Sequence, residues 1–519
     1  VRVPLVLGLA LLLLACVELT PVEQDDSTEL DATVVTEAEQ VPQRPIAGPE
    51  VTDVICPDPP PALDDGDEAG SARGLRCGFI VVPEDRSRPD GPIVEVAFTV
   101  ISPGAEPIRG PPLIVVPDGP GFPGLSQVGV WRASPLSLAR QVVVFDPRGA
   151  GRSFPSLDCG PGGLDRLTDR RVGECRDQLT SQGIDLGSYN TSAIAQDVVA
   201  LLRALGLDRV DLLGVGHGAR VMQSILALAP DRVRAVVFDS PIPDLVDVYF
   251  DVGLNAQAAL NRLLDECAGQ PSCAERFDES MDQLPDALAV LGGPTGSGSA
   301  GGSPDGSQRP PTADEFALAL IEAMRGTANL GLIPSVIDQL AVDPAGALER
   351  LTSPEEGEQD QEQPESLLSE GLLLSSECHD EVPFSSFDPE DPPPALDVIG
   401  GAVSRLYARV PRACATWDVA AGAEQSGGET EVFALVLNGE FDPLVSPAWA
   451  AEATRDIAEA TVVQIDAAGH RLFDLDACTV GLVDTFLSRP GLSTDGLLRA
   501  AEDVAPACAT PRAVEFDLS

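Results

Sequence analysis

The stretch Leu212-Leu213-Gly214-Val215-Gly216-His217-Gly218-Ala219-Arg220 constrains the fold more than any other part of this chain. An apolar run over 210–215 ends among glycines at every second position, and a helical pattern begins at once, over about 218–229. This is the layout of a sharp strand-to-helix turn, in which small residues two places before and after the central position let the backbone reverse. Such a turn lifts a nucleophile clear of a sheet. Here the central residue is Gly216, which offers neither hydroxyl, thiol nor carboxylate. His217 cannot stand in for it, because the side chain of the next residue points elsewhere. A dinucleotide-binding loop is the rival reading of a glycine-rich turn, but Ala219 occupies its last glycine and the element lies deep in the chain.

The surrounding pattern alternates strands and helices. Residues 78–83 and 93–102 read as early strands, and 112–117 and 141–146 as short apolar strands buried on both faces. A helix over about 191–206 leads into the strand 210–215, and the helix after the turn leads into a strand at 234–239. The expected fold class is α/β, a mostly parallel sheet flanked by helices. After Ser240 the alternation breaks. Helix-like segments at about 252–266, 314–325, 333–341 and 398–409 are separated by a Gly/Ser/Pro-rich loop, 292–311, and an acidic loop, 353–366. The core pattern then resumes with a strand at 431–437, a helix at 446–458, a strand at 460–465 and a helix at about 475–488. The organisation expected is a core of 56–241 and 426–509, split by an inserted helical cap, 242–425, with a short tail, 510–519.

The N-terminal segment and the cysteines speak to location. Residues 1–15 have a signal-peptide pattern, too short for a membrane span, and Leu13-Leu14-Ala15-Cys16 resembles a lipobox that would place a lipid on Cys16. Residues 16–55, acidic and proline-bearing, read as anchor and disordered tether. With Cys16 set aside, ten cysteines remain, an even number that permits five disulfides in an exported chain. Neighbour pairing closes short local loops: Cys56-Cys77, Cys159-Cys175, Cys267-Cys273, Cys378-Cys414 and Cys478-Cys508. Connectivity is left open by the sequence alone. The expected location is the bacterial cell envelope or outside the cell, with the membrane met only through the lipid anchor.

Charge excludes other partners. The 519 residues carry a net charge of −49, and every basic residue is arginine. Such a surface repels nucleic acid phosphates, and the absence of lysine rules out an ordinary phosphate-binding P-loop. No metal is expected, since there is no CxxC pair and His217, His379 and His470 are not spaced as ligands. No cofactor is indicated, and oligomeric state is left open.

Four ordered motifs carry a family resemblance. Pro117-Asp118-Gly119-Pro120-Gly121 resembles an HGGPG oxyanion loop, departing from it at its first two residues. Asp146-Pro147-Arg148-Gly149-Ala150-Gly151-Arg152-Ser153 fits a D-x-R-G-x-G-x-S segment. The Gly216 turn follows, and then Asn438-Gly439-Glu440-Phe441-Asp442-Pro443 and Ala468-Gly469-His470 resemble acid and histidine loops. In this order the chain resembles secreted α/β-hydrolase peptidases of the proline iminopeptidase and tripeptidyl aminopeptidase type, with the serine replaced by Gly216. The resemblance implies an α/β-hydrolase fold, Asp442 as triad acid, His470 as base, and backbone N–H groups of Gly119 and His217 as oxyanion donors. Asp118 would oppose a developing oxyanion unless its side chain points away. Glu377, Asp380 and Glu440 are candidates for binding a substrate N-terminus, and Cys378 with Cys414, near Trp417, fits a family-like cap segment.

Three functions follow as expectations. One is a degenerate hydrolase that binds a peptide-like ligand, or a small amide or ester, with weak or no turnover. A second is an active peptide, amide or ester hydrolase, working by another route or because residue 216 is a sequence variant. The third is a non-enzymatic envelope interaction protein acting through its cap surface.

Overall fold

The computed structural model describes residues 49–56, 74–104, 110–160, 164–291, 311–352, 367–391, 396–423, 430–505 and 512–518, with residues 108, 393 and 508. Cys16, the expected leader, most of the tether, residues 292–310 of the first loop and all of 353–366 lie outside the described residues. All described residues fall in one compact unit, Ala47–Ser519.

Its centre is a nine-stranded sheet among the described residues, ordered β1-β2-β3-β5-β4-β6-β7-β8-β9. The strands are β1 (Val51–Val54), β2 (Gly74–Pro83), β3 (Ile93–Ser102), β4 (Leu113–Val116), β5 (Val142–Phe145), β6 (Val210–Val215), β7 (Val233–Asp239), β8 (Thr430–Gly439) and β9 (Ile457–Ile465). β1, β2 and β3 run antiparallel, β3 meets β5 antiparallel, and the remaining pairs are parallel. The fold is that of an α/β-hydrolase: a largely parallel mixed sheet flanked by helices.

Alternation along the strands divides the core. In β6, Val210 and Leu212 join one cluster with the helices Thr191–Ala204 and Gly218–Leu228, while Leu213 and Val215 turn to the opposite cluster. Both faces are thus apolar, the condition for a sheet buried between helical layers. On the second face Trp131 stacks on Phe473 at 4.8 Å between ring centroids. The D-x-R-G-x-G-x-S segment is a structural staple. Asp146 accepts N–H groups of Leu125 (2.8 Å) and Arg152 (2.7 Å). Arg148, fully buried, forks onto both carboxylate oxygens of Asp197 at 2.7 Å and donates to the carbonyls of Glu84 and Ser188.

The cap has its own apolar core, built by the helices Val248–Gly269, Ala313–Arg325, Ile333–Leu340 and Val398–Tyr407. Phe441 and Ala467, from the loops after β8 and β9, pack into that core, so cap and sheet share side chains at the site. Five disulfides are formed among the described residues, Cys56–Cys77, Cys159–Cys175, Cys267–Cys273, Cys378–Cys414 and Cys478–Cys508. No helix among the described residues is long and apolar enough to cross a membrane.

Several expectations need correction. Val51–Val54 is an edge strand rather than tether, since it pairs with β2 and is tied there through Cys56–Cys77. The helix expected over 446–458 shrinks to Trp449–Ala453, because pairing with β8 draws Ile457 and the residues after it into β9. Ladder pairing here overrides the helical preference of an alanine-rich segment. The tail is also engaged: Val514 is buried in the cap core, and the Asp517 N–H donates to the Gly331 carbonyl at 2.9 Å. Gly331 permits that approach, as a Cβ would collide with the Glu515 carbonyl. The helices Asp169–Ser181 and Thr494–Val504 were not anticipated.

Replacing Arg148 by methionine leaves Asp197 and two carbonyls short of their buried donor. Urea unfolding is expected to show a loss of about 3–5 kcal/mol, the range for breaking one side of a buried ion pair.

Candidate active site

Parallel pairing brings the site together. Val116 at the end of β4 lies opposite Gly214 of β6, so the loop Pro117–Gly121 runs beside the turn at Gly216. Close packing explains two of the glycines. A Cβ on Gly214 would meet the Met222 sulfur at 2.8 Å, and one on Gly218 would meet the Val116 carbonyl at 2.8 Å. Gly216 itself sits at φ +52, the left-handed conformation of a sharp turn. Its N–H donates to Asp239 at 3.1 Å, and its carbonyl accepts from Ile242 at 3.0 Å.

The acid and histidine loops arrive from the neighbouring strand ends. Asp442, fully buried, accepts the N–H groups of Leu444 (2.9 Å) and Val445 (3.0 Å) on one oxygen. Its other oxygen meets His470 Nδ1 at 2.8 Å. The His470 N–H donates to the Arg325 carbonyl at 2.9 Å, at the end of a cap helix, so the imidazole is held from both core and cap.

Asp118 occupies the centre. The N–H groups of Gly119 and His217 do converge on one point, but that point is Asp118 Oδ1, at 2.8 and 3.0 Å. The Asp118 side chain does not point away, so the carboxylate stands where it opposes a developing oxyanion. Gly216 has no side chain to exclude it, and two backbone donors together with a cationic imidazole reward its entry. A Cβ on Gly216 would land against the same Oδ1, well inside van der Waals contact. Asp118 Oδ2 faces His470 Nε2 at 3.8 Å, an ion pair too long to be a hydrogen bond.

The electrostatics follow from this row of charges. Desolvation opposes charge on His470, but Asp442 and Asp118 outweigh it and raise the imidazole to about 10. Asp118 and Asp442 are each held below the ordinary carboxylate value: desolvation pushes both up, and the imidazolium more than compensates. His470 is accordingly protonated at neutral pH and cannot act as a base while Asp118 is ionised. His217 is the opposite case. Burial first, and then the charge of Arg220, lower it to about 4, and its Nε2 lies 3.4 Å from the Thr191 hydroxyl.

The three carboxylates expected to take a substrate N-terminus are engaged internally. Glu377 accepts from the Tyr249 hydroxyl. Asp380 accepts from the Thr191 N–H at 2.8 Å and from the Ser376 hydroxyl at 3.2 Å, and pairs with His379 Nδ1 at 2.7 Å. Glu440 accepts the Ala467 N–H at 2.9 Å, on the histidine loop. A cavity of about 100 Å³ opens on the His217 side of the turn, lined by Thr191, Arg220, Asp244, Asp247, Tyr249 and Asp380 among others. Neither Asp118 nor His470 lines it. Among the described residues no cluster of His, Cys, Asp and Glu is arranged to hold a metal ion.

Sequence reasoning missed what Asp118 and Arg325 do here. The usable signal was that two departures from one family pattern, at 118 and 216, fall on facing loops.

Comparison with known proteins agrees with the architecture. Residues 111–274 match the alpha/beta hydrolase fold family, and residues 401–497 match the TAP-like protein family. Serine protease Hip1 of Mycobacterium tuberculosis is 28% identical over 226 residues, 38% of this chain and 43% of that protein. Tripeptidyl aminopeptidase of Streptomyces coelicolor is 29% identical over 210 residues, 36% of this chain and 38% of that one. The putative hydrolase YuaR of Escherichia coli is 27% identical over 240 residues, 42% of this chain and 47% of that one. The match spans less than half the length of each of these relatives.

The imidazolium yields a pH test. Folding raises His470 from 6.5 to about 10, so its contribution to stability is whole below pH 6.5 and is lost as pH climbs through 10. The unfolding midpoint should fall more steeply between neutral pH and pH 10 in the wild type than in His470→Gln. Parallel slopes would show that the proton is not held. The chain therefore has the α/β-hydrolase fold, and in sequence it is similar to the alpha/beta hydrolase fold family over residues 111–274 and to the TAP-like protein family over residues 401–497.

Proposed function

We propose that this chain is a hydrolase-fold protein in which serine acyl transfer is closed, and that it holds a peptide-like ligand beneath its cap without cleaving it. The observation that carries the reading is Asp118 Oδ1 lying on the Gly119 and His217 N–H groups, beside a residue with no side chain. Acyl transfer needs an attacking atom, a free oxyanion hole and a neutral base. The first is absent, the second is filled by a carboxylate, and the third is protonated. Loss of one triad member alone lowers kcat by as much as ~10⁶ in a related mechanism.

A peptide with a free N-terminus suits the cavity beside His217. Asp244, Asp247, Asp380 and Glu381 line it; Glu381 pairs with Arg220, and Asp247 and Asp380 accept hydrogen bonds from this chain, so Asp244 is the carboxylate proposed to meet an ammonium. Two of the relatives, named a serine protease and a tripeptidyl aminopeptidase, favour the same ligand class. Five disulfides fit an oxidising, extracytoplasmic compartment, as would a lipid on Cys16.

Restoring the nucleophile requires two changes, because a side chain at 216 collides with Asp118. Gly216→Ser alone is expected to remain inert, while Gly216→Ser combined with Asp118→Gly gains labelling by an active-site serine probe. The double variant should turn over tripeptide amides at least ~10³-fold faster than the wild type. Turnover of these amides by the wild type, abolished by His470→Ala, would overturn the proposal.

A further inference from the structure

Asp118 is a carboxylate whose second oxygen is not fixed by any hydrogen bond and meets only the charge of His470. Oδ1 is fixed by two N–H groups, whereas Oδ2 has no partner within hydrogen-bond distance and faces the Nε2 of His470. Nε2 is itself buried without a hydrogen-bond partner. The Asp118 side chain keeps 28% of its surface exposed.

A carboxylate in this position can do chemistry that a serine there cannot. A carbonyl substrate would need the Gly119 and His217 N–H groups for its own oxyanion, and Asp118 already occupies them. Attack on a saturated carbon makes no such demand, because negative charge develops only on the leaving group. The hole then serves the nucleophile itself, since hydrolysis of an aspartyl ester puts an oxyanion on Oδ1, already seated between its two donors.

Resting on the reading that acyl transfer is closed, we propose that Asp118 is a nucleophile that opens strained cyclic ethers, epoxides, through an ester on Oδ2 that His470 then hydrolyses. In the first step Oδ2 forms a bond to a ring carbon and the ring C–O bond breaks. The ester is neutral, so His470 loses the carboxylate that held its proton, and that proton passes to the ring alkoxide. In the second step neutral His470 takes a proton from water, and the water oxygen bonds to Cγ of Asp118. The oxyanion on Oδ1 is held by the Gly119 and His217 N–H groups, and Asp442 stabilises the imidazolium. Collapse breaks the bond from Cγ to the alcohol oxygen, and His470 returns a proton to that oxygen. The new carboxylic acid gives its proton back to His470, which restores the starting pair. The sum is epoxide plus water to diol.

Two cap residues bear electrostatically on Asp118 and carry protons that a leaving oxygen could use. Arg325 Nε is buried without a hydrogen-bond partner, and the Arg325 charge helps keep Asp118 ionised. Tyr407 ends the helix Val398–Tyr407 and packs against both the sheet core and the cap core. Burial keeps its phenol protonated, up to about 12, and the charges of Arg325 and Asp118 both bear on it.

The test uses the full chain with styrene oxide and 1,2-epoxyhexane as probes. In His470→Gln the ester should accumulate, seen as a mass increase of one epoxide on the peptide containing Asp118. In wild type, one turnover in ¹⁸O-water should place ¹⁸O in the Asp118 carboxylate, because water attacks Cγ. Asp118→Ala should lose diol formation at least ~10³-fold while keeping the near-ultraviolet circular dichroism of the wild type. Absence of both adduct and label, an adduct on another residue, or diol formation that survives in Asp118→Ala would each overturn the proposal. Failure of the broader reading shows separately, as tripeptide amide cleavage by the wild type.

Discussion

Two backbone N–H groups and one carboxylate oxygen set the character of this molecule. The donors belong to Gly119 and His217, at the ends of β4 and β6, and parallel pairing of those strands fixes their convergence. Any hydrolase sheet with this register creates a spot of positive potential there. In this chain the spot is neutralised from within by Asp118, and the consequence spreads outward. The imidazole of His470 lies between Asp442 and Asp118, and it stays charged for as long as Asp118 is ionised. A glycine at 216 and an aspartate at 118 are therefore one change, since the carboxylate fits only where the side chain is missing.

Much of the architecture was legible because short apolar strands and helices alternate with clear punctuation. The strand 210–215 and the turn at Gly216 were read to the residue, since Gly214 and Gly218 answer to contacts that allow no Cβ. Elements decided by partners rather than local pattern were not legible. β1 has only four residues and exists by pairing with β2, and β9 takes over an alanine-rich stretch because β8 lies beside it. The tail likewise looked unremarkable until Val514 found the cap core.

At the site, positions were easier to read than orientations. Asp442, His470, Gly119 and His217 were recognisable from ordered loops at strand ends, and the structure gathers them in one place. The direction of the Asp118 side chain was not, because it depends on a void that only the folded turn reveals. The carboxylates at 377, 380 and 440 illustrate the converse. An acidic side chain near a cleft suggests a ligand, yet each accepts hydrogen bonds from this chain itself.

The bond from the His470 N–H to the Arg325 carbonyl joins the histidine loop to the end of a cap helix. Phe441 and Ala467 reinforce that joint from within the cap core. A cap that swung away as a rigid lid would carry the histidine with it and pull it off Asp442. Placement of this helix and alignment of the His470–Asp442 pair are therefore one mechanical unit, so opening the cap along this joint would also take the site apart.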